Sequence, residues 1–235
     1  MKKLILLVLI VCALRMSPQS ASTTRSTHIA GGKCQPMNAG LEVSLKRVEG
    51  ETAGQLFKIV VHNVSGEDVY VVTDPKRTDG SSGPYWYPDE NNGRVLVAGF
   101  ALYEPSRNLF FDHDDASARL TLLHPSDSYS TQITVTFPIR ETVPPYQTHK
   151  APQVFVASET SGLKTEVGYF PSSDELRKLI ASKPNGTMTG ADFVAFGNAS
   201  RSVASSECFI SSSVFAFAPA TMLHKPGHVA SSKLR

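Results

Sequence analysis

This 235-residue sequence is poor in the features that usually betray an activity. It has three cysteines and one tryptophan, and its formal net charge is only +2. Removing a leader that carries Lys2, Lys3 and Arg15 but no acid lowers the charge by three, from +2 to −1. Binding to a phosphate backbone normally rests on a basic surplus, so nucleic acid is not expected as a partner. There is no Gly-x-Ser-x-Gly elbow, and Gly80-Ser81-Ser82-Gly83 has neither the spacing nor the strand-to-helix context of one. A His-Glu-x-x-His pair, a glycine-rich phosphate loop and a Cys-x-x-Cys pair are also missing, so no cofactor is implied. The seven histidines are scattered, and no two fall on one strand face at ligand spacing. Beyond the first residues no apolar run approaches the roughly 20 residues needed to span a bilayer.

What is present begins at the N-terminus. Lys2 and Lys3 precede an unbroken apolar run from Leu4 to Leu14, and the small residues Ser20-Ala21-Ser22 follow. A cationic head, a short apolar middle and a small-residue exit describe a secretory signal over residues 1–21, with a periplasmic or secreted product. Cys12 lies inside it. Leu9-Ile10-Val11-Cys12 resembles the lipobox of bacterial lipoproteins, which implies an acylated Cys12, but Val11 stands where that pattern has Gly, Ala or Ser, so cleavage after Ala21 is preferred. Two cysteines then remain, Cys34 and Cys208. In an oxidising compartment they form an even pair that bridges the two ends of the chain, unless they lie too far apart to meet. Closing a loop of roughly 170 residues contributes on the order of 4–5 kcal/mol in the chain-entropy account.

Residues 22–40 are rich in Ser, Thr, Gly and Ala and carry no apolar period, so they read as a leader into the fold. From Leu41 the pattern has period two. Leu41, Val43 and Leu45 alternate with Glu42, Ser44 and Lys46; Phe57, Ile59 and Val61 continue the theme. Further strands are expected over Val69 to Val72, Arg94 to Tyr103, Ala118 to Leu123, Tyr129 to Phe137, Gln153 to Ala157 and Thr165 to Phe170. No helical period separates them, which argues for an all-β antiparallel sandwich of seven or eight strands over residues 41–170 rather than an α/β fold. The turn Asn63-Val64-Ser65-Gly66-Glu67-Asp68 and its flanking strands resemble the strand-turn-strand step of immunoglobulin-like domains in exported bacterial proteins. That resemblance covers about thirty residues and implies an immunoglobulin-like fold, with no activity attached. Residues 171–235 form an extension. Ser172 and Glu175 make a capping box for a helix over 172–182, whose stripe is Leu176, Leu179 and Ile180, and a further strand is expected over 208–217, added at a sheet edge.

Two clusters are candidates for function. Tyr85-Trp86-Tyr87, between Pro84 and Pro88 and followed by Asp89-Glu90-Asn91-Asn92, reads as a loop; packing of Trp86 across the core is the preferred reading, and the binding alternative is that the aromatic faces stack on a sugar or anchor a protein. Asp112-His113-Asp114-Asp115 has metal-binding residue types. Its spacing breaks the calcium-loop pattern at Ala116 and Leu123, and a solvated loop has the same composition. The expectation is therefore an exported, non-enzymatic binding or structural module with a protein or carbohydrate ligand at one loop end. The alternative is an enzyme or metal protein assembled only in three dimensions, with Asp112 to Asp115 and His149 as its residues. Thr142-Val143-Pro144-Pro145-Tyr146 is a proline-stiffened segment of the kind inhibitors present. Three sequons begin at Asn63, Asn185 and Asn198.

Overall fold

The computed structural model describes residues 27–28, 40–49, 54–77, 80–102, 117–142, 151–192, 195 and 208–217. In chain order the strands are β1 (Thr27–His28), β2 (Leu41–Val48), β3 (Gln55–Asn63), β4 (Val69–Lys76), β5 (Tyr85–Pro88), β6 (Val95–Phe100) and β7 (Ser117–Leu123). They continue as β8 (Ser128–Val135), β9 (Ile139–Arg140), β10 (Val154–Phe155), β11 (Gly162–Pro171), β12 (Thr187–Thr189), β13 (Cys208–Ser211) and β14 (Phe215–Ala216). Helix α1 (Asp174–Ala181) lies between β11 and β12. The described residues are mainly strand, with this helix, a short 3-10 turn at Pro184–Gly186 and a helical turn at residues 190–192 besides.

One sheet is the antiparallel triplet β2-β3-β8, in which Leu41 pairs with Asn63 and Phe57 with Ile133. Its alternation divides the side chains as the sequence predicts. Val43, Phe57, Ile59, Val61 and Ile133 are buried on one face, while Lys46, Lys58 and Gln132 are exposed on the other. The buried face meets Val69, Val71, Leu96, Leu163, Val167 and Ile210 of the larger sheet in one shared core.

The larger sheet runs β1-β13-β11-β4-β7-β12, with β6 and its partner β5 on the same edge of β11 as β4. Val69-Tyr70-Val71-Val72 is an unbroken apolar run because this part of the sheet is covered on both sides. Val69 and Val71 face the triplet. Tyr70 and Val72 face a second core with Phe170, Leu176, Ile180 and Met188.

Several expectations need correction. Antiparallel pairing is not universal, since β6 runs parallel to β11 from Val95–Gly162 to Phe100–Val167. A parallel pair needs a long crossover, commonly a helix; here the chain returns through β7, β8, β9 and β10 instead, so the absence of a helical period misled. The expected strand over 208–217 is broken into β13 and β14, and β13 is not an edge, because β1 pairs on its far side. The Gln153–Ala157 strand shrinks to β10. The cap of α1 is Ser173 rather than Ser172: extended Ser173 accepts from the Leu176 N–H at 3.1 Å, while Ser172 donates its own N–H to the Asp68 carbonyl at 3.2 Å. Being tied to the end of β4 holds Ser172 outside the helix.

Candidate binding groove

The aromatic cluster is not a loop. Tyr85–Pro88 is the strand β5, paired antiparallel with β6 so that Trp86 lies opposite Ala98 and Tyr87 opposite Val97. Period two then splits the three rings. Trp86 turns inward and packs, half-buried, against the shared core. Tyr87 is buried on the opposite face, where its hydroxyl donates to Glu166 Oε2 at 2.8 Å. Its ring lies over Gly99, where an added Cβ would sit 2.7 Å from Cε1. Gly99 is therefore a close-approach glycine. The three aromatic residues do not share one stacking surface, and the alternation rule applied to Tyr85-Trp86-Tyr87 was the signal that separates them.

An ion cluster that sequence reasoning missed lies beneath the turn after β5. Lys164 Nζ sits 3.0 Å from Asp89 Oδ2 and 2.8 Å from Glu166 Oε1, and all three side chains are only 12–13 % exposed. Ser211 Oγ donates to Glu166 Oε1 at 3.1 Å. Burial alone would raise the Asp89 carboxyl, but its bond to Lys164, the Lys164 charge and the N–H groups of Asn91 and Asn92 outweigh burial and hold it below its ordinary range. Burial would likewise lower Lys164, and the Glu166 and Asp89 carboxylates raise it instead. Lys164 and Glu166 are two apart on β11, which puts them on one face; their partner Asp89 is 75 residues away from Lys164 in the chain.

This cluster anchors the β5–β6 turn. Asp89 Oδ1 accepts from the N–H groups of Asn91 at 3.0 Å and Asn92 at 3.1 Å, and Asn92 Oδ1 accepts from the Arg94 N–H at 3.1 Å. Beside the turn is a groove of about 280 Å³ lined by Gly93, Arg94, Gln153, Val154, Glu159 and Thr160. Three of its polar side chains are tied to the walls. Arg94 Nε donates to the Glu159 carbonyl at 3.0 Å, Gln153 Nε2 donates to the Gly93 carbonyl at 3.1 Å, and Thr160 Oγ1 donates to the Val156 carbonyl at 2.8 Å. Phe155 is buried beneath, while Val154 is 52 % exposed at the rim. The groove offers a guanidinium edge, a carboxamide, a carboxylate and a small apolar patch.

The other end of the molecule is organised by Asn63, which is fully buried. Its Nδ2 donates to the carbonyls of Glu67 at 2.8 Å and Leu123 at 3.0 Å, and its Oδ1 accepts from the Ser65 N–H and hydroxyl. The expected turn thus owes its shape to one side chain that also ties β7, and the Asn63 sequon is occupied by these bonds. Asp112, His113, Asp114, Asp115, His149, Cys12, Cys34 and residues 143–146 lie outside the described residues. Among the described residues no three His, Cys, Asp or Glu side chains are grouped to hold a metal ion, and no helix is long and apolar enough to cross a membrane. No family model, curated protein or solved structure matches the chain.

Proposed function

We propose that this protein is an exported, non-enzymatic binding module built on an immunoglobulin-like β-sandwich, with its ligand site in the groove beside the β5–β6 turn. The observation that carries the reading is the groove itself: the side chains of Arg94, Gln153 and Thr160 are held by bonds to backbone carbonyls, which pre-orders a surface for recognition. Strand order supports the sandwich assignment. The triplet β2-β3-β8 and the opposing run β7-β4-β11-β13 correspond to A-B-E and C′-C-F-G of an immunoglobulin-like domain, with β5 and β6 as an inserted hairpin. The Lys-headed apolar segment at residues 1–21 supports export, and sequencing the N-terminus of the secreted product should start near Ser22.

Arrays of glycans and of peptides, probed with the secreted protein, test the site. A ligand held by the wild type and weakened about tenfold by Arg94→Ala or Val154→Ser, at an unchanged melting temperature, is the expected result. Equal retention by both variants removes the groove from the reading.

A further inference from the structure

The exposed face of the β2-β3-β8 triplet carries an arrangement that its own fold does not explain. In the pairing register, Lys46 lies directly opposite Lys58, and Lys58 directly opposite Gln132. Residues opposed in an antiparallel pair have Cβ atoms about 5 Å apart, and like charges placed there are destabilising. Both lysines are exposed, and among the described residues neither ammonium has an ion-pair partner. The neighbouring row toward the Asn63 end is Ser44, Val60 and Ser130, and the row on the other side is Val48, Leu56 and Thr134. Neither row contains an acid.

We propose that this face binds an acidic polysaccharide, with one sulfate or carboxylate group seated between Lys46 and Lys58. The oxyanion supplies the opposite charge that the row lacks, and removes the repulsion between the two ammonium groups. Hydroxyls of Ser44 and Ser130 and the amide of Gln132 match sugar hydroxyls, while half-buried Val60 and Leu56 offer a flat aliphatic strip to the C–H face of a ring. A nucleic acid or a charged bilayer would call for a longer basic stripe than two lysines in one row. This site lies on another surface from the groove and does not rest on it.

The test measures binding of the full secreted chain to a sulfated polysaccharide, a carboxylated polysaccharide, neutral dextran, duplex DNA and anionic vesicles, each at low and at 0.5 M salt. Wild type should hold the two acidic polysaccharides and not dextran, with retention falling at high salt. Lys46→Thr and Lys58→Thr should each weaken it about threefold, and the double variant about tenfold. With no ligand present, each single variant should melt no lower than wild type, because it relieves a like-charge contact and threonine suits a strand. Equal retention by the double variant, or dextran bound as well as the acidic chains, overturns the site. DNA or vesicles bound more tightly than either polysaccharide overturns the ligand class.

Discussion

Replacing Lys164 with methionine isolates the energetics of the ion cluster. The substitution keeps an apolar stem out to Cε but leaves Asp89 and Glu166 facing each other without the ammonium, which stood 3.0 Å and 2.8 Å from them. Removing one member of a fully buried pair costs about 3–5 kcal/mol, and the residual exposure of these groups reduces the expected loss to about 2–3 kcal/mol at pH 7. Urea unfolding should show a lower midpoint at an unchanged slope. The pH dependence separates charge from packing. In the wild type Asp89 is held below its ordinary 3.8, so its contribution is present above that value and is lost as the pH falls through the lower folded one. In the variant, burial and the neighbouring Glu166 carboxylate act on Asp89 without Lys164, and protonation relieves rather than harms the fold. The stability gap between the two proteins should therefore narrow between pH 7 and pH 4. Lys164→Met/Asp89→Asn/Glu166→Gln should regain most of the loss. A gap that is the same at both pH values, or below about 0.5 kcal/mol at pH 7, refutes the cluster as an electrostatic anchor.

Asn63→Ala strands the Glu67 and Leu123 carbonyls at the end of β3, so thermal or urea unfolding should report a loss of about 2–3 kcal/mol. Expression in a glycosylating host should leave Asn63 unmodified by peptide mass, since its side chain is buried and fully bonded. Ser173→Ala should cost about 1 kcal/mol through the lost cap of α1, and Ser172→Ala distinctly less; the reverse order in a denaturant titration would restore Ser172 as the cap. We also propose the Cys34–Cys208 bridge. Cys208 is buried, and β1 pairs with β13 so that His28 lies opposite Phe209, leaving a six-residue connection whose reach is about 20 Å. Peptide mapping without reductant should recover the two cysteines in one linked peptide, and two alkylatable thiols would refute it.

Strands whose side chains alternate were legible in the sequence because one face of each meets the core. Leu41 to Leu45, Phe57 to Val61 and Tyr129 to Val135 all fell in the triplet, where period two is unbroken. The parallel β6–β11 pair was not legible, because Val95–Phe100 is apolar throughout and a continuous run carries no information about direction. The inward packing of Trp86 was legible, but the strand that carries it was not, because Pro84 and Pro88 suggested a loop; an edge strand tolerates proline at its ends, and β5 is one. The groove and the ion cluster join residues from β5, the β5–β6 turn, β10 and β11. Such distant pairings leave no local spacing to detect. Lys46 and Lys58, by contrast, were visible as outward positions, but only the register places them opposite each other.

The placement of β13 sets an order for folding. Strand β11 takes β13 as its neighbour on one edge, and β1, near the start of the chain, pairs among the described residues with β13 alone. A partly synthesised polypeptide therefore exposes a bare β11 edge until residue 211 is free, so closure is a late event with high contact order. Truncations ahead of Cys208 should be the forms of this protein most prone to sticking to their neighbours.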